Sequence, residues 1–383
     1  MAEINELTGA AGTGGVSRVP EPAFSLWYQQ KDITTDIAPW VTRVTYSDNI
    51  KNESDTLEVA LDDSDGRWTG NWYPGKGDTI ALKLGYRGEK LLDCGVFSLD
   101  EIEVSAPPSV VSIRGVATSV NSALRTRSSR GFENTTLAAI AGHIARRHGL
   151  QLTGSIEQIR LDRITQYGET DVAFLRRLAG EYGYVVKVTG DKLIFSQLAT
   201  LRTREPVREL TRQEVSSFTL RDTINRVYSS AKVKHQKASS KKLVVFEADG
   251  GTRESDRQLK GGKMVSADSL KVNSRSGDPE TARVKAESAL AARNEYQQTG
   301  TLTLEGNTGL TAGNKIELSG FGQLSGAWLI TTARHTLDRS SGYTTELEVA
   351  RGPVTGGKAR KTQKLTVYHP DGSTSTVIKE KKK

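Results

Sequence analysis

The sequence predicts a mainly β fold with an α+β insertion, and three observations lead to this fold class. Short runs of alternating polar and apolar residues recur between turn signals in two separate regions. Between those regions the spacing of apolar residues changes to a helical period. A weak internal repeat relates the two β regions to each other, so we expect two tandem β-barrels flanking a small helical/α+β domain.

The first β region begins near Phe24, after a Gly- and Ala-rich segment that we expect to be a flexible arm. Five alternating runs follow it: Val41–Tyr46, Thr56–Leu61, Thr79–Leu84, Val96–Val104 and Val110–Arg114. Strands of this length and spacing are typical of a small barrel or sandwich.

Two helices and a hairpin are predicted in the middle of the chain. The first helix begins at Thr135 or Thr136, either of which can cap it, and stops at Gly149. The second covers Thr170–Tyr182. Residues 184–195 then read as two short strands around a Thr-Gly-Asp turn, which completes a compact α+β insertion.

Strands return from Val215, and a single Ala-rich helix interrupts them. That helix runs from Pro279 to about Tyr296, with Asp278 placed as its N-cap. Residues 300–351 again have the alternating pattern of β structure. We therefore expect a second barrel that carries one helix.

The net charge of +8 is concentrated at the end of the chain. Six of the eight surplus positive charges fall in residues 356–383, where a hairpin is predicted around 369–372. Elsewhere the main basic cluster is Arg125, Arg127 and Arg130, in a Ser-rich connector. Because the body lacks a basic stripe, we expect no sequence-specific nucleic-acid binding by it. Nucleic-acid binding through the basic extension, or its pairing with an acidic partner surface, stays open.

These patterns divide the chain into five expected parts. They are a flexible N-terminal arm (1–22), a first barrel (23–118), an α+β insertion (119–205), a second barrel with one helix (206–352) and a basic C-terminal extension (353–383). The single cysteine, Cys94, forms no internal disulfide, so packing must hold the fold, as is typical of a reducing cytoplasm. We expect no membrane span and no classical signal peptide.

The internal repeat is carried by three matched blocks. Gly77–Leu82 matches Gly313–Leu318 in its glycine and both aliphatic residues. The other two matches are Gly85-Tyr86 with Gly320-Phe321 and Gly95–Phe97 with Gly326–Trp328. Strand patterns are generic, so chance likeness between two turn-strand-turn units stays open as an alternative. If the repeat is real, three chains around an axis would present six similar barrels in a ring.

Several segments resemble a known family. They are Gln166–Gly183 (QYGETDVAFLRRLAGEYG), the helix between Asp278 and Gly300, Trp328–His335, and the Gly-Tyr-Thr-Thr run at 342–345. Together they resemble the late control protein D family, the baseplate hub proteins of contractile phage tails, which are related to the hub portion of type VI secretion spike proteins. The resemblance covers roughly Ser25 to Arg351.

The resemblance implies two tail-tube-like barrels and a homotrimer at the centre of the baseplate of a contractile phage tail or a phage-tail-like bacteriocin. The tail tube or a tube-initiator protein would stack on one side, and the central spike protein would dock on the other. Baseplate wedge proteins, and a tape-measure protein in the lumen, are further implied partners. About thirty basic-rich residues follow Arg351, so we expect the spike to be a separate polypeptide, and assembly to occur in the bacterial cytoplasm.

The sequence predicts no metal site and no cofactor. His143 and His148 lack the spacing of a zinc-protease helix, and a zinc site needs three or four converging ligands. Asp62, Asp63 and Asp65 resemble the start of a calcium loop but lack its final glutamate, so a β-turn is the better interpretation.

Two side-chain groups leave an alternative open. Glu101 and Glu103 share one strand face and are the only candidates for the catalytic pair of a tail-associated peptidoglycan hydrolase. Trp68, Trp72 and Tyr73 could form a docking patch or could cap the core of the first barrel. We predict a structural protein, not an enzyme, with no catalytic residues and no cofactor.

Overall fold

The computed structural model describes residues 20–50, 54–117, 126–223, 227–228, 230–237, 242–249, 269–273, 279–352, 362–368 and 373–380. Most of the expected N-terminal arm, Asp278, Arg125 and the turn at 369–372 lie outside these ranges. The mainly β fold with an α+β insertion is confirmed. In the described part of the chain, no helix combines the length and apolar character that crossing a membrane requires.

The strands, in chain order, are β1 (Pro22–Tyr28), β2 (Lys31–Asp32), β3 (Val41–Asn49), β4 (Thr56–Asp62), β5 (Thr79–Tyr86), β6 (Leu92–Ser105), β7 (Val110–Ala117), β8 (Arg127–Thr136), β9 (Gln151–Thr153), β10 (Arg160–Thr170), β11 (Tyr184–Thr189), β12 (Lys192–Gln197), β13 (Arg208–Thr211), β14 (Val215–Asp222), β15 (Ser230–Lys237), β16 (Lys242–Asp249), β17 (Ser269–Asn273), β18 (Gln298–Glu305), β19 (Lys315–Ser319), β20 (Gly326–Asp338), β21 (Gly342–Arg351), β22 (Thr362–Tyr368) and β23 (Thr374–Glu380). The helices are α1 (Thr34–Ile37), α2 (Leu137–Arg147), α3 (Asp171–Glu181), α4 (Leu198–Thr203) and α5 (Pro279–Asn294).

Two β units share one strand arrangement. In the first unit the hydrogen-bonded order is β1-β5-β6-β7-β4-β3, and in the second it is β13-β19-β20-β21-β18-β14. The six strands of each unit also follow the same order along the chain. The pairings agree in direction except at one end, where β1 is antiparallel to β5 but β13 is parallel to β19. The repeat predicted from the sequence is therefore a repeat of topology.

The two units also share their irregularities. The ladder between β6 and β7 shifts register between Leu99 and Glu101, and the ladder between β20 and β21 shifts between Ile330 and Thr332. The pair Ile80–Phe97 of the first unit matches the pair Ile316–Trp328 of the second. In both units the register shift begins two residues after the matched aromatic residue, Phe97 or Trp328. A β-bulge is a local departure that generic strand pairing does not produce twice by accident.

A second pair of bulges agrees as well. The ladder of β3 with β4 shifts between Val41 and Arg43, and that of β14 with β18 shifts between Val215 and Ser217.

Glycine explains why the repeat was visible in the sequence: Gly77 and Gly313, which precede β5 and β19, both have φ of +88°. Glycine adopts this conformation with little strain, so both copies retain it.

The two units are joined edge to edge into one sheet of thirteen strands. The second half of β20 pairs with β3, and the path of hydrogen-bonded strands runs from β14 to β2. Each unit has its own apolar core, with Phe97 fully buried in the first and Trp328 fully buried in the second. Tyr343 of β21 packs into the core of the first unit, so the cores meet across the sheet.

The insertion between the units contains α2, α3 and two small sheets. Thr136 caps α2 through its side-chain oxygen and Gly149 follows it with positive φ, as predicted. Thr170 and Gly183 have the same places around α3. The predicted hairpin is formed by β11 and β12. The expectation of a Ser-rich connector was wrong for its described part: Arg127 begins β8, which pairs with β10. Its outward-facing residues are polar, which hid the strand pattern.

A second insertion lies between β14 and β18. Its strands β15, β16 and β17 join β22 and β23, from the end of the chain, in a five-stranded sheet of order β17-β15-β16-β22-β23. Helix α5 packs against this sheet through Ala282, Ala286 and Leu290. The predicted C-terminal hairpin corresponds to β22 and β23, and β22 adds to the chain's own β16. The division of the chain into domains stays a proposal. The small sheet combines three strands from residues 206–352 with two strands from the expected C-terminal extension, 353–383.

We expect Gly306→Ala to destabilise the protein by about 1 to 3 kcal/mol, because overpacking a filled core has this cost. A Cβ atom at Gly306 would lie 2.0 Å from the ring of Tyr343, which is buried between the two units. Gly131→Ala is the matched control, since nothing lies within 4 Å of its Cβ position. Chemical denaturation of both variants measures the difference, and equal stabilities would contradict this packing.

Candidate functional site: the joint between the two β units

The candidate site is the joint between the β units, formed by Arg43–Asn49 of β3 and Thr332–Asp338 of β20; we call it the β joint. Seven residue pairs are in antiparallel register, from Thr332 opposite Asn49 to Asp338 opposite Arg43. At its outer end, Arg43 Nε donates to Asp338 Oδ2 at 2.9 Å. Hydrogen bonds from Ser340 and from Arg43 lower the pKa of Asp338 below its usual range.

A buried histidine lies at the centre of the β joint. His335 is fully buried, and its ring stacks on that of Tyr46 with centroids 6.1 Å apart. Its Nε2 donates to the carbonyl oxygen of Leu310 at 3.1 Å, and its Nδ1 accepts from the hydroxyl of Tyr343 at 2.9 Å. Burial lowers the pKa of His335 to about 4. A neutral imidazole is the form that can both donate and accept, so this histidine is uncharged at neutral pH.

A buried ionic cluster fastens the insertion to the β joint. Lys187 of β11 forms an ion pair with Asp48 of β3, and its Nζ lies 2.9 Å from Asp55 Oδ2. Both carboxylates are almost fully buried, with exposed fractions of 4% each. Asp48 Oδ2 also accepts from the backbone amide of Ala312 at 2.9 Å. Asp48 therefore contacts the first unit, the insertion and the second unit at one point.

Burial and charge act against each other in this cluster. Burial raises the pKa of Asp55, and the neighbouring Asp48 raises it further, whereas Lys187 opposes the shift. For Lys187, burial alone would lower the pKa, yet the two carboxylates together raise it. Buried charges of this kind are stable only when paired and hydrogen-bonded. We conclude that the cluster is a structural connection whose members depend on one another.

The helix motif that carried the family resemblance holds a second buried network, inside the insertion. Asp171 is 2% exposed and accepts from Gln166 Nε2 at 2.8 Å. His148 Nε2 lies 2.7 Å from the other oxygen of Asp171, and Arg130 and Arg147 lie 3.6 Å from the same carboxylate. These polar residues therefore fix the position of α3 against the preceding strand and α2.

The residues considered for metal binding are separated by the fold. His143 packs edge-on against Phe132, whereas His148 is bound to Asp171. Asp62 and Asp65 accept from backbone amides two residues ahead, and Gly66 N donates to Asp63 O, as in a β-turn. Within the described ranges, His, Cys, Asp and Glu side chains nowhere group in threes as a metal site would require.

The aromatic cluster is divided between core and surface. Trp68 is buried in the first unit, while Trp72 is 46% exposed and Tyr73 is 50% exposed. The two tryptophan rings meet edge to face at 5.4 Å, and the guanidinium of Arg67 stacks on Trp40 at 3.6 Å. Core packing thus accounts for Trp68, and an exposed aromatic surface remains beside it.

Glu101 and Glu103 lie on the exposed second half of β6. Glu101 is 3.9 Å from Arg114 of β7, and both side chains are more than half exposed.

A cleft of about 740 Å³ lies elsewhere, between the insertion, α5 and the second unit. Arg351 in that cleft donates to Gln298 at 2.6 Å and to the Ser325 carbonyl at 2.7 Å, so it stabilises the wall of the cleft.

Comparison with known proteins gives a family. The sequence profile described as phage tail baseplate hub (GPD) matches residues 119–341, more than half of the chain. The chain belongs to the phage tail baseplate hub family. The match spans the insertion and the second unit as far as β20 and the following turn, and so includes the second unit's side of the β joint.

Relatives agree with membership of the hub family, and solved structures show a similar fold. A probable baseplate hub protein of Escherichia phage 186 is 32% identical over 209 residues, which are 54% of this chain and 52% of the relative. The chain spans about half the length of the curated relatives it matches. The 43 kDa tail protein of prophage MuSo2 from Shewanella oneidensis has the same fold, with a TM-score of 0.65 at 15% identity over 86% of this chain and 98% of that one. A chain of the Francisella PdpA–VgrG complex shares the fold more distantly, with a TM-score of 0.50 and 10% identity over 90% of this chain and 61% of that one.

Sequence reasoning missed both buried polar networks of this hub family member. Asp48 and Lys187 are 139 residues apart in sequence, and no local pattern marks them as partners. His335 was noticed only through its place before the Gly-Tyr-Thr-Thr run. A useful signal would have been the polar residue Asp48 within an otherwise alternating strand, because an acidic residue on the apolar face needs a partner.

We expect Lys187→Met to destabilise the protein by about 3 to 5 kcal/mol near pH 8, because it leaves two buried carboxylates without their cation. The loss should become smaller as the pH falls from 8 towards 5, since burial raises the pKa of Asp55 and a protonated carboxyl carries no buried charge. Lys192→Met on β12 is the control, because Lys192 is exposed. Urea unfolding at both pH values measures the effect, and a pH-independent loss would contradict the buried-charge account.

His335 should make stability fall as the solution is acidified. Its pKa in the fold, about 4, lies below the ordinary 6.5, so the unfolded chain binds the proton first. The stability is therefore complete above about pH 6.5 and is lost progressively towards pH 4, by up to about 3 kcal/mol. The measurement is unfolding free energy against pH for the wild type and for His335→Gln. Parallel curves for the two proteins between these pH values would contradict this assignment.

Proposed function

We propose that this chain is a structural hub of the baseplate of a phage tail or tail-like particle and acts without catalysis. In this proposal three copies close a ring of six similar β units, which joins a sixfold tail tube to a threefold central spike. The observation that carries it is the β joint: two units of the same topology already pair edge to edge inside one chain. A ring needs the same kind of contact between chains.

The geometry of strand edges supports closure into a ring. An exposed sheet edge presents unpaired backbone groups and is a place where further strands add. Among the described strands, β14 ends the thirteen-stranded path and pairs only with β18. If the same edge contact repeats around an axis and the ring closes, every exposed edge of this kind is paired. A repeat that does not close would give a filament.

The polar face of the β joint is suited to the wall of a lumen. Arg43, Thr45, Ser47, Arg334 and Thr336 line a shallow groove on that face. A passage for cargo requires a hydrated wall that does not bind apolar surfaces strongly, and these side chains provide it. A tape-measure protein in the lumen, the spike below and the tube or tube-initiator above are the partners in this proposal, with wedge proteins around the outside.

Light scattering should give a mass close to three times the 41.7 kDa of one chain, either for the purified protein or after addition of a candidate spike protein from the same genome. Trimerisation that is driven by a partner would appear only in the mixture, because a ligand of the assembled form shifts the equilibrium towards it. A monomer in every mixture, at concentrations well above those in a cell, would overturn the ring.

A further inference from the structure

We propose that, between copies, the second half of β6 of one chain pairs antiparallel with β14 of the next, with Glu103 opposite Arg221. This inference rests on the proposed ring and specifies the surface that closes it. The partner is a second copy of this chain. Two features of the chain support this contact: the shared register of the two units and the side chains at the two exposed edges.

The correspondence of strands follows from the pairings inside each unit. β6 corresponds to β20, because Phe97 opposite Ile80 matches Trp328 opposite Ile316 and the bulges agree. By this register Glu101–Ser105 corresponds to Thr332–Thr336, which are five of the seven residues that β20 contributes to the β joint.

β14 corresponds to β3 in the same way. β14 pairs with β18, and β3 pairs with β4, which is the strand that corresponds to β18 in the first unit. Both β14 and β3 have a bulge within their first three residues. The register makes Leu220 the counterpart of Tyr46 and Arg221 the counterpart of Ser47. β6 and β14 are therefore the two edges that would repeat the β joint between chains.

Both edges are unoccupied among the described strands. Along one edge of β20, the first half pairs with β19 and the second half pairs with β3. The same edge of β6 pairs with β5 only as far as Ser98. β14 pairs with β18 on one side alone, whereas its counterpart β3 pairs with β4 on one side and β20 on the other.

Exposure of apolar side chains marks these edges as an interface. His335 and Val44 are fully buried in the β joint, but their counterparts Val104 and Phe218 are 51% and 37% exposed. An added strand would cover Val104 and Phe218 as β3 and β20 cover their counterparts. Val104 would then lie opposite Leu220, an apolar pair of the kind that stabilises neighbouring strands.

Charge argues for this partner and register. In the β joint Arg334 lies opposite Ser47, and transfer of that register places Glu103 opposite Arg221. Opposite charges in directly facing positions stabilise a strand pair, whereas displacement of one strand by one residue would place the two side chains on opposite faces of the sheet. Glu103, considered above for hydrolysis, thus has a role in assembly.

Cysteine cross-linking tests the register. We expect the double variant Glu103→Cys/Arg221→Cys to form disulfide-linked multimers up to the covalent trimer under mild oxidation. Arg334→Cys/Ser47→Cys, the corresponding pair inside one chain, controls for disulfide geometry and should give a linked monomer. Glu103→Cys/Thr219→Cys, displaced by two residues, controls for register and should link poorly. The native Cys94 is buried, and single-cysteine variants measure any contribution from it.

Charge reversal gives a second measurement. We expect Glu103→Arg and Arg221→Glu each to raise the concentration needed for half-assembly by about tenfold or more, and the double reversal to restore it. Lys192→Glu, on an exposed strand of the insertion, is the control for a change of net charge and should leave assembly unchanged.

The outcomes separate this inference from the ring itself. A linked trimer at 103 and 221, with rescue by the double reversal, supports both. A trimer by light scattering that neither links at this pair nor responds to reversal, while the 334–47 control links within the chain, overturns the β6–β14 contact and leaves the ring. A monomer in all conditions, with or without a spike partner, overturns both.

Discussion

Antiparallel hydrogen bonding between β20 and β3 is the interaction on which the arrangement of this chain depends. Each backbone hydrogen bond contributes only about 1 kcal/mol net, but seven facing residue pairs fix the relative direction and register of two complete β units. Because side chains alternate along a strand, that register also decides which residues reach the core. His335 and Tyr46 are buried only as a result of this alignment.

The buried polar groups make the alignment specific. Asp48 accepts from Ala312, and both Asp48 and Asp55 bind Lys187, so the three parts of the chain meet at one carboxylate. An apolar cluster of equal volume could be as stable, because ion pairs gain little over the cost of leaving water. Unlike an apolar cluster, these groups tolerate only one arrangement, since any displacement leaves a buried charge unpaired.

The same long, bulged strand occurs in both units of the hub, in two different settings. The long strand β20 bends at its bulge and offers separate halves of one edge to different neighbours, β19 within its unit and β3 beyond it. Its counterpart β6 has the same bulge but an exposed second half. The repeated unit thus forms this edge contact once inside the chain, and the matching edge of its other copy is exposed. This is the property that a closed assembly of identical chains needs.

The sequence determined the local elements and the repeat. Thr136 and Thr170 cap helices and Gly77 and Gly313 begin matched turns because these are short-range effects of single residues, and strand alternation follows from two-residue geometry. Only the tertiary structure decided the partners of Asp48 and the edge on which the units meet. Those contacts join residues far apart in the chain, and their energy depends on burial, which no local pattern contains. The strand β8 was missed for a related reason, since its exposed polar residues carry little alternation.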